Sequence, residues 1–199
     1  DVEDGSLPGC QLALARHGRL GLLASFGEAT HEGVASPVSD RTLYVIFSCT
    51  KAITSAATWL LWQDGRLRWD ERVAAIVPEF GTNGKEAITV EQLLLHTAGF
   101  PHAPFAPLDW DDRAKRLARF ARWRTEWEPG SRFEYHPSQT MWVLAEILER
   151  RSGEDFRAFI RRRIAEPLGL EDLHVGCGDA VHPRVADVVH VGRALTPDE

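Results

Sequence analysis

The sequence is poor in several residue types, and their scarcity excludes whole classes of protein. Its three cysteines, Cys10, Cys49 and Cys177, are too few and too scattered for a disulfide framework, and no CxxC or HExxH spacing occurs. We therefore expect neither a metal nor another cofactor. The net charge is -6, whereas a nucleic-acid surface needs an excess of basic residues. The expected partner is a small molecule and not a nucleic acid.

Long apolar runs are also absent from the sequence. No stretch approaches the roughly 20 apolar residues that a membrane-spanning helix needs, and residues 1–15 lack the charged start and apolar centre of a signal peptide. These two absences predict a cytoplasmic protein without a membrane span. No pattern in the sequence indicates an oligomeric state.

The residues that are present predict a mixed α/β (α+β) chain. Residues 10–28 hold two short apolar stretches separated by a turn-like break, which predicts a β-hairpin. The β-branched run at 44–47 predicts a strand that leads directly into a helix over 48–64, which ends at Gly65. Helical patterns follow at 89–99, 111–127, 138–151 and 154–166.

The order of these elements predicts one domain over residues 1–199 with three parts. A sheet hairpin and a first helix occupy 1–65, a mostly helical region occupies 66–175, and a linker occupies 176–199. Because a hairpin alone is only marginally stable, we expect further strands that complete the sheet beyond the C-terminus. The domain is therefore predicted to be incomplete at that end.

Lysine is rare in this chain, and one of its lysines stands close to a serine at a helix start. Only Lys51, Lys85 and Lys115 accompany 20 arginines. Lys51 follows Ser48 by three positions, so both side chains lie on one face of the helix. A serine nucleophile needs a base and an environment that stabilises an oxyanion, and free N–H groups at a helix start supply the latter. A buried lysine can serve as a base, whereas an arginine stays charged.

The alternative for this pair is purely structural. Ser48 would then cap the helix while the Lys51 ammonium reaches solvent, and the two residues alone leave both readings open. Cys49 points about 100° away from Ser48 around the helix axis, so we interpret it as a packed core cysteine.

Several longer phrases occur in one order along the chain. They include "SCTK" at 48–51, "PEF" followed by "ITVEQLLLHTAGF" at 88–100, "FEYHPSQ" at 133–139 and "EPLGL" at 166–170. Together they resemble the serine β-lactamase-like family, which contains penicillin-binding D-alanyl-D-alanine peptidases, class C β-lactamases and family VIII carboxylesterases. The resemblance implies the β-lactamase/transpeptidase-like fold, in which an antiparallel sheet flanked by helices joins a helical subdomain.

The resemblance also implies a third catalytic residue. In this family a tyrosine that opens a Tyr-x-Asn motif completes the proton relay with the serine and lysine, and Tyr135 matches it. The match fails two residues later, where Pro137 replaces the asparagine and offers no donor to a β-lactam or peptide carbonyl. This departure favours ester substrates. His136 contacts substrate or assists proton transfer in one interpretation, and is an ordinary loop residue in the other.

The family's remaining motif is a Lys, His or Trp followed by x-Gly on an edge strand that borders the active site. His190, Val191 and Gly192 fit its letters but follow Tyr135 too soon, so we expect the genuine motif beyond residue 199. The aromatic residues Phe100, Phe105, Trp110 and Trp142 line an acyl pocket in one interpretation and form helical core in the other. Of these, Phe100 and Trp142 join His136 and Pro137 as candidate substrate-binding residues.

The sequence thus predicts a serine hydrolase that acts on carboxylic esters through an acyl-enzyme, with Ser48, Lys51 and Tyr135 as catalytic residues. The first alternative is an enzyme acting on amides, either a β-lactamase or a D-alanyl-D-alanine carboxypeptidase or D-aminopeptidase. The second alternative is a catalytically inactive binding domain of the same fold.

Overall fold

The computed structural model describes residues 1–104 and 106–192. These residues form two compact units. One unit combines the N-terminal residues 1–47 with the segment that begins at Gly176, and the other runs from Ser48 to Val175. The chain passes from the first unit to the second between Phe47 and Ser48, so the predicted catalytic residues all belong to the second unit.

The first unit contains a three-stranded antiparallel sheet in the order β1, β2, β3. The strands are β1 (Gly9–Arg16), β2 (Arg19–His31) and β3 (Val34–Pro37). Two-residue turns connect them, and both turns place two successive residues at positive φ: His17 with Gly18, and Glu32 with Gly33. Such turns match the right-handed twist of antiparallel strands. The predicted hairpin is confirmed, and β3 extends it in a way that the sequence pattern did not reveal.

The strand predicted directly before Ser48 is not present. In residues 44–46 the backbone is irregular, and Leu43 forms only an isolated parallel bridge with Val185. A run of β-branched and aromatic residues favours a strand only when a neighbouring strand can pair with it, and here the pairing ends at Leu43. A 3-10 turn at Phe47–Cys49 then leads into the first α-helix.

The second unit is built from helices that are joined by turns and irregular segments. Its helices are α1 (Thr50–Gln63), α2 (Val73–Ile76), α3 (Val90–Leu94), α4 (Arg113–Arg122), α5 (Gln139–Ser152) and α6 (Phe156–Ile160), with a π-helical turn at Arg161–Ala165 and shorter 3-10 turns at Pro78–Phe80 and Pro107–Asp109. One apolar core joins α1, α3, α5 and α6, and its fully buried members include Leu61, Leu93, Ile147 and Phe159. This core is the platform that carries the candidate site.

Local sequence signals explain where several of these helices begin and end. Gly65 lies at φ 69 just after α1, and its N–H donates to the Trp62 carbonyl, as expected for a glycine that closes a helix. Thr89 and Gln92 form a reciprocal capping box at the start of α3. The helix predicted for 89–99 is shorter than expected, because it ends at Leu94 and the chain turns before Gly99.

A buried ion-pair network holds α5 against its neighbours. The carboxylate of Glu146, which is 0% exposed, accepts hydrogen bonds from Arg113, Arg116 and Arg150. Arg150 also donates to Glu79 at 2.8 Å. Burial alone would raise the pKa of Glu146, but the three guanidinium groups lower it to about 2. Because α5 begins shortly after Tyr135, this network also helps to fix the helix that follows the candidate site.

Candidate active site

The 3-10 turn at Phe47–Cys49 and the first turn of α1 place Ser48 and Lys51 next to each other. Lys51 Nζ donates a hydrogen bond to Ser48 Oγ over 2.9 Å. The helix has no side-chain cap at its N-terminus, so the structural alternative in which Ser48 caps the helix is wrong. Ser48 is exposed and Lys51 is half-buried, which leaves the hydroxyl open to a substrate.

The residue before Ser48 has an unusual backbone conformation. Phe47 lies at φ 44, a region that bulky side chains rarely adopt because Cβ approaches the backbone. Strain of this kind costs on the order of 1–3 kcal/mol and is concentrated at functional sites. The strained residue lies directly before the exposed, hydrogen-bonded serine.

Tyr135 completes a three-residue cluster around Ser48 Oγ. Its phenol donates to Ser48 Oγ over 2.7 Å, and Lys51 Nζ lies 4.9 Å from the centre of the Tyr135 ring. Hydrogen bonding with Lys51, and then with Ser48, lowers the pKa of Tyr135. The structure thus brings together the three residues that the sequence singled out as catalytic.

Two of the four candidate substrate-binding residues, Pro137 and His136, follow Tyr135 directly in the sequence but differ in their exposure to solvent. Pro137 is exposed two residues after Tyr135. His136 is fully buried, and its Nε2 accepts a hydrogen bond from the Phe100 backbone N–H over 3.0 Å. The interpretation of His136 as a substrate contact is therefore not supported, because both ring nitrogens face protein groups.

Of the aromatic residues proposed for an acyl pocket, Phe100 and Trp110 are buried, and Trp142 is partly buried against the same core. Phe100 is 0% exposed and stacks on Trp123, so the structure does not bring it to the exposed Ser48. Trp142 stacks on buried Trp110, with ring centroids 4.4 Å apart. A large ring gains more free energy from this packing than from a position on an open surface. Phe105 lies outside the described residues.

Cys49 also departs from its prediction. Its side chain is exposed and its thiol is free, whereas a core position was expected. The first turn is 3-10 rather than α-helical at this point, so the direction argument based on α-helical spacing does not apply.

His96 stands in the phrase "LLLHTAGF", where the sequence suggests local hydrogen bonding at a helix end and not a catalytic base, and the structure shows such bonding. Its carbonyl accepts from the Glu134 N–H over 3.1 Å, and its Nδ1 accepts from the His136 N–H over 3.0 Å. Burial, followed by the nearby His136 and Lys51 charges, lowers the pKa of His96 to about 4. The signal in the sequence was a histidine just past a helix end, where glycine or asparagine is usual.

The described residues bear on two further features, a metal site and a membrane-spanning helix. Across 1–104 and 106–192, no group of three or more His, Cys, Asp or Glu side chains is placed to hold a metal ion. Within the same ranges, no helix has both the length and the apolarity to traverse a bilayer.

Comparison with known proteins identifies the family. The model of the Beta-lactamase family matches residues 1–198. The chain therefore belongs to this family of serine hydrolases. The fold class predicted from the sequence is confirmed by a solved penicillin-binding protein homologue from Caulobacter crescentus, which is 36% identical with a TM-score of 0.82 over 94% of this chain and 50% of that one.

Two further similar proteins are esterases by name. The chain is 29% identical to Esterase EstB of Burkholderia gladioli over 96% of its own length and 53% of EstB. It is also 28% identical to a solved family VIII carboxylesterase, with a TM-score of 0.83 over 94% of this chain and 52% of that one. The chain spans about a third to a half of the length of the curated relatives it matches.

Proposed function

We propose that the protein containing this chain is a serine hydrolase that cleaves carboxylic esters through an acyl-enzyme. The observation that carries this proposal is the placement of Ser48 Oγ within hydrogen-bond distance of both the Lys51 amine and the Tyr135 phenol. A hydroxyl next to two groups that can exchange protons has the arrangement required of an activated nucleophile. Its exposure leaves room for the ester carbonyl.

The reaction proceeds in two halves. Ser48 Oγ attacks the ester carbonyl carbon, and its proton passes to the Lys51–Tyr135 pair. In the tetrahedral intermediate the bond between the carbonyl carbon and the alcohol oxygen then breaks. The alcohol leaves with that proton, and the acyl group remains on Ser48. Water attacks the acyl carbon with the same pair as base, the bond from that carbon to Ser48 Oγ breaks, and Oγ takes back the proton as the carboxylic acid leaves. The backbone N–H of Ser48 is one donor to the oxyanion in each half.

Two observations support esters over amides. Pro137 occupies the exposed position two residues after Tyr135, and it has no N–H or side-chain amide with which to bind a peptide or β-lactam carbonyl. Two similar proteins, EstB and the family VIII carboxylesterase, carry esterase names. The proposal of ester substrates agrees with both of these observations.

Amide substrates are the second candidate, and one observation favours them. The Caulobacter crescentus protein, at 36% identity, is described as a penicillin-binding protein homologue. A β-lactam or a D-amino-acid peptide would use the same Ser48 nucleophile and would form an equivalent acyl-enzyme. The two candidates therefore share their first step and differ in the leaving group.

A fluorophosphonate probe tests the nucleophile on the complete protein. We expect labelling of the wild type, loss of labelling in Ser48→Ala, and retained labelling in Ser6→Ala, a matched change at another exposed serine. Absence of labelling in the wild type, with a known serine hydrolase labelled in parallel, would favour the inactive binding domain.

Substrate class is tested on the same preparation. Hydrolysis of p-nitrophenyl butyrate is expected to exceed that of nitrocefin, and both rates should fall to background in Ser48→Ala. Faster turnover of nitrocefin would contradict the ester proposal and support the amide candidate.

A further inference from the structure

The backbone on both sides of Tyr135 is held by a single residue. The N–H of Glu134 donates to the carbonyl of His96 over 3.1 Å, and the N–H of His136 donates to its Nδ1 over 3.0 Å. The rings of His96 and Tyr135 are in contact, with centroids 5.0 Å apart. Residues 134–136 are not part of a helix or strand, so no regular ladder fixes the phenol there.

The conformation of His96 is costly and needs an explanation. It lies at φ 56 immediately after the last turn of α3. A left-handed residue at a helix end is usually glycine or asparagine, and other residues adopt this conformation at a cost of on the order of 1 kcal/mol. An imidazole at this position gains an acceptor that glycine lacks, and that acceptor receives the His136 N–H.

His136 continues the same arrangement from the opposite side. Its Nε2 must be the acceptor for the Phe100 backbone N–H, so Nδ1 carries the proton and donates to the Glu134 carbonyl over 2.7 Å. Both Glu134 backbone groups are therefore bonded to histidines, one from each side. The ring of His136 is fully buried, so these hydrogen bonds are shielded from water.

We propose that His96 is a positioning residue for Tyr135, because its two acceptors fix the segment that points the phenol at Ser48. This inference rests on the proposed function, in which the phenol of Tyr135 exchanges a proton with Ser48. His96 itself touches neither the nucleophile nor a substrate in this role. It acts through the peptide groups on either side of Tyr135.

Protonation of His96 would break this support. The His136 N–H is a donor, so Nδ1 can accept from it only while it carries no proton. The ionisable groups that face the ring are Lys51, His136 and Tyr135. Burial of the ring, followed by the charge interactions with His136 and Lys51, opposes protonation and lowers the pKa of His96 to about 4. The support is therefore complete at neutral pH and is lost as the pH falls through about 4.

Three variants separate positioning from general stability. His96→Ala removes the ring acceptor, whereas His96→Asn keeps a side-chain oxygen near the position of Nδ1 and tolerates positive φ. His17→Ala is the matched control, because His17 is an exposed histidine at φ 50 in the β1–β2 turn. His17 therefore has the same unfavourable backbone conformation as His96 but lies away from the candidate site.

The first measurement follows Tyr135 directly and does not depend on activity. Tyrosine labelled with 13C at Cζ reports phenol ionisation by NMR, and the Tyr135 signal is assigned by its loss in Tyr135→Phe. In His96→Ala we expect the Tyr135 pKa to rise toward the ordinary tyrosine value, because the phenol leaves Lys51 and Ser48. His96→Asn and His17→Ala should leave it unchanged. An unchanged Tyr135 titration in folded His96→Ala would overturn the inference.

The second measurement is the rate of fluorophosphonate labelling of Ser48. We expect a loss of roughly tenfold to a hundredfold in His96→Ala, since small misplacements of a catalytic group have effects of this size. His96→Asn should restore most of that rate. An equal loss in His96→Ala and His96→Asn would contradict positioning through the acceptor.

A pH series covers the case in which His96→Ala does not fold. Between pH 6.5 and pH 3.5 the Tyr135 signal of the wild type should shift as His96 gains its proton, and that of His96→Asn should not. The same shift in both proteins would overturn the inference. Failure of the proposed function is distinguishable from these outcomes, because the wild type would then show the NMR behaviour expected here without any labelling of Ser48.

Discussion

The phenol of Tyr135 donates a hydrogen bond to Ser48 Oγ over 2.7 Å, although 87 positions separate the two residues in the sequence. Contact at this range requires that the start of α1 and the segment before α5 be fixed on one core. Both helices contribute fully buried side chains to that core, among them Leu61 and Ile147. The relationship between the two hydroxyls is therefore a property of the helical unit, not of either segment alone.

Replacing Tyr135 by phenylalanine tests this relationship. The ring and its packing remain in Tyr135→Phe, while the oxygen that bonds Ser48 Oγ is removed. We expect the labelling rate of Ser48 and the rate of ester hydrolysis to fall by about 10²–10⁴, the usual contribution of a positioned acid or base. Tyr44→Phe, which changes the other tyrosine of this chain, is the control and should retain both rates.

The amine of Lys51 is tested by a variant of similar length without charge. Lys51→Met removes the group that donates to Ser48 Oγ over 2.9 Å, and we expect labelling to fall at least as far as in Tyr135→Phe. Lys51→Arg should not restore the rate, because a guanidinium keeps its proton. The matched change at an exposed lysine is Lys115→Met. Activity in Lys51→Met equal to that in Lys115→Met would remove Lys51 from the mechanism.

The sequence was sufficient to predict the residues that meet at the site. The spacing of three positions between Ser48 and Lys51 predicted that their side chains meet, and the family motif supplied Tyr135. Glycine and capping signals also located helix ends well, as at Gly65 and Thr89. These features depend on local chemistry or on a motif, and so they can be read without coordinates.

What the sequence did not predict depends on tertiary packing. Phe100 is apolar in either role, and only the fold decides that its ring is buried against Trp123. The sequence left His136 either as a substrate contact or as a loop residue, and only the fold shows that its ring is buried and accepts from the Phe100 N–H. The strand expected before Ser48 is absent because β propensity requires a partner strand, and the pairing with Val185 ends at Leu43.

Lowering the pH should destabilise the fold over two separate pH ranges. The pKa of His96 is lowered to about 4 from 6.5, so the unfolded chain binds more protons in this interval and stability is lost as the pH falls from 6.5 through 4. The pKa of Glu146 is lowered to about 2 from 4.5, so its contribution is complete above 4.5 and is lost as the pH falls through 2.

Urea unfolding at pH 7, 5.5 and 4 measures the first window. The midpoint should fall with pH in the wild type, and it should fall less in His96→Asn, which has no ring to protonate. His17→Asn should follow the wild type, because His17 is exposed. A pH dependence that is identical in wild type and His96→Asn would show that His96 does not contribute.

The buried carboxylate of Glu146 gives the largest predicted effect on stability. Its two oxygens accept from Arg113, Arg116 and Arg150, and the Arg116 side chain is itself almost fully buried. In Glu146→Gln the amide cannot neutralise these guanidinium groups, and its NH2 group faces donors where the carboxylate had an acceptor. A buried ion pair that loses one partner typically costs about 3–5 kcal/mol.

We therefore expect Glu146→Gln to lower the free energy of unfolding by about 3–5 kcal/mol in urea at pH 7. Arg116 keeps a second carboxylate, Glu149, at 2.6 Å, which places the expected loss toward the lower end of that range. Glu154→Gln is the control, because Glu154 pairs with Arg162, which is 53% exposed, and such a pair contributes about 0–1 kcal/mol. Equal losses in the two variants would mean that solvent or the protein relaxes around Arg116. The network would then not be what holds α5, and the helix after Tyr135 would be fixed by apolar packing alone.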